Sequence, residues 1–388
     1  MKVINNLKLF IIKLSVVIFF LFINIISIFI NVRIGRIYTS RIGHLSLNLD
    51  NYLSNKKLYN NQITFFGVDK IIANDYLFNL FKKKKNLYFH RYFFYCYDFI
   101  YKNFPNSRLL INYEDIHPNF NLFSNSKINI SFTNNDLIKG NRLLKKLNIK
   151  KPLICIHNRS TQYDKNIFND LNFHDYRNYN FIKNKKSIEY LLKKKLSVVR
   201  IGKKAEKFNS IKNSNYHSLV NENHKPFLDI FIIKQSMFVI SCTSGICDVA
   251  RLFRKPTLII NMFPFTIKDL CGRANGSIYL PKKVFDKKNG KYLKISECFK
   301  LKYNIHYQGK FLEDNNLELI DNTEDEILEA TREMYQKINN DYYLDNGNKK
   351  ILVEFMKSMK NISYYNKITK QLNIGISLSF LKKNYHLI

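Results

Sequence analysis

Acidic residues are scarce in this chain. Its 388 residues hold 63 Lys and Arg against 30 Asp and Glu, a formal net charge of +33. Such an imbalance favours anionic partners: nucleotides, phosphorylated lipids, a membrane face or nucleic acid. What a nucleic-acid reader would add to its charge is missing. There is no arginine-rich arm, no zinc-finger spacing and no aromatic ribonucleoprotein motif, so nucleic acid is not an expected partner. The lysine clusters Lys82–Lys85, Lys193–Lys195 and Lys203–Lys204 read as solvated helix ends and loops. Cysteine is sparse too, at six, and no two form a CxxC pair. That excludes a disulfide framework and suits a reducing compartment. Cys155 sits in an apolar strand pattern, the ordinary place for a buried thiol. No internal repeat is present, which excludes a solenoid.

Apolar residues are plentiful: 46% of the chain is hydrophobic and 15% aromatic, enough to build real cores and to rule against wholesale disorder. The length suits two domains. The first thirty residues stand apart. From Leu9 to Val32 only Lys13 is charged, and a helix over that stretch reaches about 36 Å, long enough to cross a bilayer. A cleaved signal peptide would have a shorter apolar region and a small-x-small cleavage site, and neither is found. Residues 1–32 are therefore expected to be an uncleaved membrane anchor. Lys2, Lys8 and Lys13 before it and Arg33, Arg36 and Arg41 after it leave its orientation open.

Beyond the anchor the chain reads as two series of alternating strands and helices. In the first, a strand at Ile34–Tyr38, a turn at Thr39–Gly43 and a helix at His44–Leu53 are followed by a strand within Gln62–Val68. The aromatic segment Asn74–Ile111 is expected to be mainly helical. Asp136–Leu147 is a helix that Lys150-Lys151-Pro152 ends, and a second series opens there. Its strands are Leu153–His157, Ser197–Ile201, Phe238–Ile240 and Thr257–Asn261, with helices near Ser187–Lys195, Phe227–Ser236 and Ile246–Phe253. Alternation of this kind implies parallel sheets with right-handed crossovers. The expected class is α/β, with a first domain at 33–150, a second at 151–340 and a helical tail at 341–388. Thr323 and Glu326 have capping-box spacing, which accounts for the acidic run Glu324–Glu326 without a metal.

Ligands of an open parallel sheet bind beyond the carboxyl ends of its strands. Three polar clusters fall at such ends. His157-Asn158-Arg159 offers a guanidinium fork suited to phosphate oxygens. Arg200-Ile201-Gly202 offers a charge and a glycine. Cys242-Thr243-Ser244-Gly245 breaks an apolar strand with hydroxyls just where a helix begins, so free N–H groups and the positive dipole end converge there. Either the break is an anion seat or it is a plain Ser/Thr helix cap. The agreement of His157, Arg159 and Arg200 at neighbouring strand ends favours the anion seat. In the loop after Leu153–His157, the stretch FHDYRN (Phe173–Asn178) places His174, Asp175 and Arg177 together. They are positioned either to touch ligand or to hold the loop by an Asp–Arg pair.

The segments SRIGHLSLN, ICIHNRS, FHDYRN, SIEYLLKKKLSVVRIGK, FLDIFIIKQSMFVISCTSGICDVARLFRKPTLIIN and NTEDEILEATREM, in that order from about Arg41 to Glu333, resemble a family of bacterial glycosyltransferases associated with surface polysaccharide. The resemblance implies two Rossmann-like domains of the GT-B type and a nucleotide-activated sugar as donor. His157-x-Arg159 also resembles the motif with which certain fucosyltransferases hold a GDP-sugar diphosphate. Two departures stand out: Ser160 where an acidic residue is expected, and Cys242 at the head of the TSG segment. On this resemblance His157, Arg159, Thr243, Ser244 and Gly245 bind the donor diphosphate. Gly43, Asp175, Arg177, Arg200 and Gly202 are further candidates for the cleft. His44, in the first strand-to-helix loop, is the candidate general base, or else simply orients its helix. With no Asp-x-Asp sequence, neither a metal nor another cofactor is expected. The acceptor is expected to be a glycan or a lipid-linked group, with the catalytic part on the cytoplasmic side of an inner membrane. The rival expectations are an inactive scaffold of polysaccharide assembly and a charge-driven binder of nucleic acid or a membrane surface.

Overall fold

Short apolar runs in the first half of the chain become a parallel sheet whose first two strands are largely buried on both faces. In the computed structural model, which describes residues 2–55, 62–112, 127–159, 175–301 and 308–388, the chain divides into two units, Met1–Ser131 and Phe132–Ile388. The first opens with helix α1 (Lys2–Phe29) and strand β1 (Val32–Ile37), then α2 (Ile42–Ser54), β2 (Ile63–Val68), α3 (Asp75–Lys82), β3 (Leu87–His90) and α4 (Tyr92–Asn103). Its three strands pair in parallel in the order β1-β2-β3, with Ile34 beside Phe65 and Gly67 beside His90. Gly67 is where α4 touches the sheet. A Cβ there would lie 2.4 Å from the Phe94 backbone, so any side chain would push the helix away. The segment expected to be helical thus contains β3, because an aromatic tetrapeptide (LYFH) finds a ladder beside β2.

Helix α1 carries the apolar N-terminal stretch as one continuous rod. Its residues Phe10–Phe29 have a mean hydropathy of 2.6, and only 11% of the most apolar stretch is buried. Leu14, Ile18, Leu21, Phe22 and Ile25 face outward. The last third also packs on its own unit. Ile23 is fully enclosed with Val32, Ile34, Ile100, Leu109 and Leu110, and Phe19, Phe20 and Ile26 lie alongside. Phe20 stacks on Phe104 with ring centroids 4.8 Å apart.

The second unit runs α5 (Asn134–Lys146), β4 (Leu153–His157), α6 (Lys185–Lys193), β5 (Ser197–Gly202), β6 (Tyr216–Val220), α7 (Pro226–Gln235), β7 (Val239–Ser241), α8 (Gly245–Leu252), β8 (Thr257–Met262), α9 (Ile267–Cys271) and β9 (Ile278–Pro281). Then come β10 (Lys283–Asp286), β11 (Lys291–Tyr292), α10 (Ile295–Lys300), α11 (Gln308–Asp314), β12 (Leu317–Ile320) and α12 (Glu324–Ile338). The chain closes with α13 (Asn346–Ser358), α14 (Tyr365–Leu372), β13 (Gly375–Ile376) and α15 (Leu378–Lys383). Seven strands form a parallel sheet in the order β13-β9-β8-β7-β4-β5-β6, and β11-β10-β12 form a small antiparallel one. Both units are therefore α/β with parallel sheets, preceded by one apolar helix.

The division between units falls at Ser131/Phe132 and not near 150. Helix α5 packs on the second unit: Gly140 leaves room for the Phe231 ring, and Phe132 stacks on Phe253 at 5.8 Å. The last 48 residues (341–388) are likewise no separate tail. Strand β13 extends the large sheet, and buried Glu333 on α12 accepts hydrogen bonds from Ser377 Oγ at 2.8 Å and Leu378 N at 3.1 Å. Capping of α12 follows the sequence pattern. Thr323 Oγ1 accepts from Glu326 N at 3.2 Å, and Glu326 Oε2 accepts from Thr323 N at 2.7 Å.

Candidate active site

Strand order locates the place where the second unit opens. From β4 the chain adds β5 and β6 on one side, then returns to add β7, β8 and β9 on the other. Between β4 and β7 the winding direction reverses, and crevices beyond the carboxyl ends of such a pair are where doubly wound sheets bind ligands. His157 ends β4 directly beside Ser241, which ends β7. The residues that follow them are Asn158-Arg159 and Cys242-Thr243-Ser244-Gly245, two of the three polar clusters singled out in the sequence.

Ser244 holds the N-cap position of α8 with extended backbone (φ −150°, ψ 165°), yet its side chain makes no cap hydrogen bond. Instead its Oγ lies 3.0 Å from Ser241 Oγ and 3.4 Å from His157 Nδ1, while Ser241 Oγ is 3.1 Å from the same ring nitrogen. The Ser244 hydroxyl thus turns toward His157 and Ser241 and does not cap α8. Next to it, Thr243 is 4% exposed, and its Oγ1 has no hydrogen-bond partner among the described residues. A buried hydroxyl left unpaired costs about 1–3 kcal/mol, so its persistence asks for a ligand. Gly202, ending β5, has φ +144°, a conformation other residues avoid. A Cβ there would approach His157 Cδ2 to 3.6 Å.

Cations surround this opening. The Arg159 backbone N–H donates to Cys242 Sγ at 3.4 Å, which pins the end of β4 to the β7–α8 turn. Arg159 and Lys282 both act on the Cys242 thiol, which burial nevertheless pushes up to about 11, so it is a packed thiol and not a nucleophile. Burial, reinforced by the Arg200 and Arg159 charges, lowers His157 to about 3. The imidazole is therefore neutral near pH 7 and serves as a hydrogen-bonding wall. On α8, burial raises Asp248 to about 6 against the opposing pull of Arg273, whose Nη1 lies 3.0 Å from Asp248 Oδ1.

The HDYRN segment is described from Asp175 onward; Ser160 and His174 lie outside the described residues. Asp175–Arg177 forms a 3-10 turn. Asp175 Oδ1 accepts from Asn178 Nδ2 at 2.7 Å. Arg177 Nε donates to Tyr176 Oη at 3.0 Å. Tyr176 packs edge-on against Phe263, and Lys282 Nζ reaches Asn178 O at 3.3 Å and Asp321 Oδ1 at 2.8 Å. Tyr176 lies in the field of both Arg159 and Arg177, which places this turn at the same end of the sheet.

Arg200 departs from expectation. It lies inside β5, fully buried, with its guanidinium over the Phe181 ring at 3.7 Å. Its Nη1 donates to Glu206 O at 2.9 Å and its Nη2 to Asn158 Oδ1 at 3.0 Å, with Glu206 Oε1 at 3.3 Å. These donors serve the loops that follow β4 and β5. Asn158, whose Nδ2 donates to Glu206 Oε1 at 2.9 Å, is the positioning residue that sequence reasoning passed over. Lys282, Asp321, Asp248 and Arg273 were missed as well. Lys282 could have been found as the lysine after the apolar run Ile278–Leu280 and Pro281; the Asp248–Arg273 pair has no local signal.

In the first unit, Gly43 and His44 stand in the first turn of α2. The loop before them is locked to the loop after β2: Asp69 Oδ2 accepts from Ser40 N at 3.0 Å and from Ser40 Oγ at 2.6 Å, and Thr39 Oγ1 accepts from Asp69 N at 3.1 Å. The His44 ring meets Tyr38 edge-on at 5.6 Å. Arg36 lies over the rings of Phe94 at 3.8 Å and Tyr38 at 4.5 Å, and pairs with Asp98 at 3.3 Å.

No protein-family model matches the chain, and no curated protein matches its sequence. Among solved structures, the chain is similar to the ADP-heptose lipopolysaccharide heptosyltransferase II of E. coli, at 10% identity and TM-score 0.43, covering 80% of this chain and 100% of that one. The dodecameric iron-containing heptosyltransferase TibC in complex with ADP-D-β-D-heptose gives 13% identity and TM-score 0.41, over 79% and 76% of the two chains. A glycosyl transferase family 9 protein of Veillonella parvula gives 8% identity and TM-score 0.38, over 59% and 80%.

Proposed function

We propose that this chain is a glycosyltransferase that takes a sugar from a nucleotide-diphosphate donor and passes it to a surface-glycan or lipid-linked acceptor. The observation that carries the reading is the uncapped start of α8 at the sheet switch point, with the buried, unpartnered Thr243 hydroxyl beside it. Free N–H groups at a helix start, a hydroxyl and the nearby Arg159 fork are the parts from which a diphosphate seat is built. The sequence resemblance supports the same class, with a hexosyl or deoxyhexosyl donor.

Chemically, the seat stabilises the charge that grows on the diphosphate as the sugar departs, and its fixed donors need no reorganisation. Arg159 and Thr243 bind the diphosphate, Gly202 and His157 shape the wall, and Asn158 with Arg200 holds the loop that carries Arg159. In this reading the Arg159 and Lys282 charges take the place of a metal. His44 is the proposed general base for the acceptor hydroxyl, and α1 the proposed anchor, with both units on the cytoplasmic face of an inner membrane.

Isothermal titration of the purified protein against a panel of nucleoside diphosphates and their parent nucleosides tests the site. One diphosphate should bind in preference to the others. Arg159→Ala should weaken it about ten- to a hundredfold, with little change for the nucleoside. A scaffold or a charge-driven binder would show no base preference. Unchanged affinity in a folded Arg159→Ala protein would remove the site.

A further inference from the structure

Where α1 ends, the first unit has an open surface pocket of about 280 Å³ lined by Ser27, Phe29, Asn31, Arg33 and Arg108 among others. A single water takes up about 30 Å³ of the liquid, so there is room for a larger polar group. Two guanidinium groups line it. Arg108 Nη2 donates to Ser27 Oγ at 3.0 Å, and Arg33 Nη1 donates to the Arg108 carbonyl, which fixes the pair side by side. Neither arginine has a carboxylate partner among the described residues, and Arg33 Nε is buried with no acceptor. Two like charges held at one pocket, with a donor to spare, favour an anion.

Position decides which anion. The pocket lies at the end of the apolar stretch Phe10–Phe29, which as a helix spans about 30 Å, the thickness of a bilayer's hydrocarbon. The chain is not free to swing there. Ile23 is locked in the core of the unit and Phe20 stacks on Phe104, so the arginines keep a fixed height relative to the helix. Exposed Tyr101 on α4 adds an aromatic side chain of the kind that prefers the membrane interface. At that level the abundant anion is the phosphate of a lipid. We infer that Arg33 and Arg108 form a seat for the phosphate group of a membrane lipid, with acyl chains running back along the outward face of α1. The inference rests on the membrane reading of α1 and is independent of the diphosphate seat in the second unit.

Full-length protein in a neutral detergent would be titrated with dihexanoyl phosphatidic acid, dihexanoylglycerol and inorganic phosphate, with binding followed by native mass spectrometry. Phosphatidic acid should bind at least about tenfold more tightly than either of the others. The Arg33→Gln/Arg108→Gln protein should lose about tenfold or more of that affinity, and Arg33→Lys/Arg108→Lys should keep part of it. Equal binding of dihexanoylglycerol overturns the seat, and so does unchanged affinity in the glutamine protein. Inorganic phosphate bound as tightly as the lipid overturns the lipid assignment. Should the glutamine protein fail to fold, the wild-type preference among the three probes still decides. Alkaline extraction of native membranes tests the anchor separately: a protein washed off there sinks the membrane reading, whatever the detergent titration shows.

Discussion

Both units carry a strand-to-helix loop at the carboxyl end of a parallel sheet, and the two loops are finished in opposite ways. In the first, Thr39, Ser40 and Asp69 satisfy one another and close the turn between β1 and α2. Arg36 nearby is absorbed by Phe94, Tyr38 and Asp98. In the second, the Thr243 hydroxyl is left unpaired, Ser244 declines to cap its helix, and cations stand around the opening. Two loops of one topology thus differ in whether their polar groups are spent on the fold. A loop with unspent donors suits an anion; a loop with none left leaves any chemistry to its neighbours, which under the proposed function is the His44 imidazole in the first turn of α2.

That contrast breaks first at His44. If it is the base, His44→Gln should lower kcat by roughly 10²–10⁴-fold while leaving the Kd for the nucleoside diphosphate unchanged. A kcat within a fewfold of wild type would reduce it to an orienting side chain. Arg200→Ala should act on the fold. Its buried contacts with Asn158, Glu206 and Phe181 are lost together, and urea unfolding should show about 3 kcal/mol of destabilisation, moderated because Glu206 stays in reach of water. A stable Arg200→Ala protein that no longer binds diphosphate would return Arg200 to the site.

His157 gives a pH test of known sign. Its native value of about 3 lies below the ordinary 6.5, so from pH 6.5 downward the unfolded chain takes up a proton that the native imidazole refuses. Stability is then lost as pH falls, by about 1–2 kcal/mol at pH 5, and a folded His157→Asn protein should lack this part of the acid slope. Smallest is Thr243→Val, which should bind diphosphate about fivefold more weakly, a loss near 1 kcal/mol. Without ligand it should be as stable as wild type or slightly more so, since the unpaired hydroxyl is gone. A Thr243→Val protein destabilised without ligand would mean the hydroxyl already has a partner.

Four of the seven strands of the large sheet, β4, β5, β7 and β8, were legible because they are apolar runs closed by small or polar residues. His157, Arg159 and the Cys242–Gly245 turn could be read for the same reason, since a chemical change at a strand end is a local signal. Strand order is not local. That β4 and β7 are neighbours, and hence that their two loops share a crevice, depends on the route of the chain between them. Arg200 was misjudged because its sequence neighbours resemble those of a strand end, while its partners Asn158 and Glu206 come from two other segments. Strands β3, β6, β9 and β13 were missed because short segments take ladder positions that tertiary pairing and not propensity decides.

The docking of α1 also sets an order of events during synthesis. Ile23 leaves the ribosome long before Ile100, Leu109 and Leu110, the residues that will enclose it. At about 5–20 residues per second the interval is several seconds at least. In a chain inserted through this helix, lipid must cover Phe19, Phe20 and Ile23 in the meantime, and protein then replaces lipid on that face when β1 and α4 arrive. The first unit would finish folding against α1, its earliest template. A chain made without α1 would lack both the template and a wall of its core.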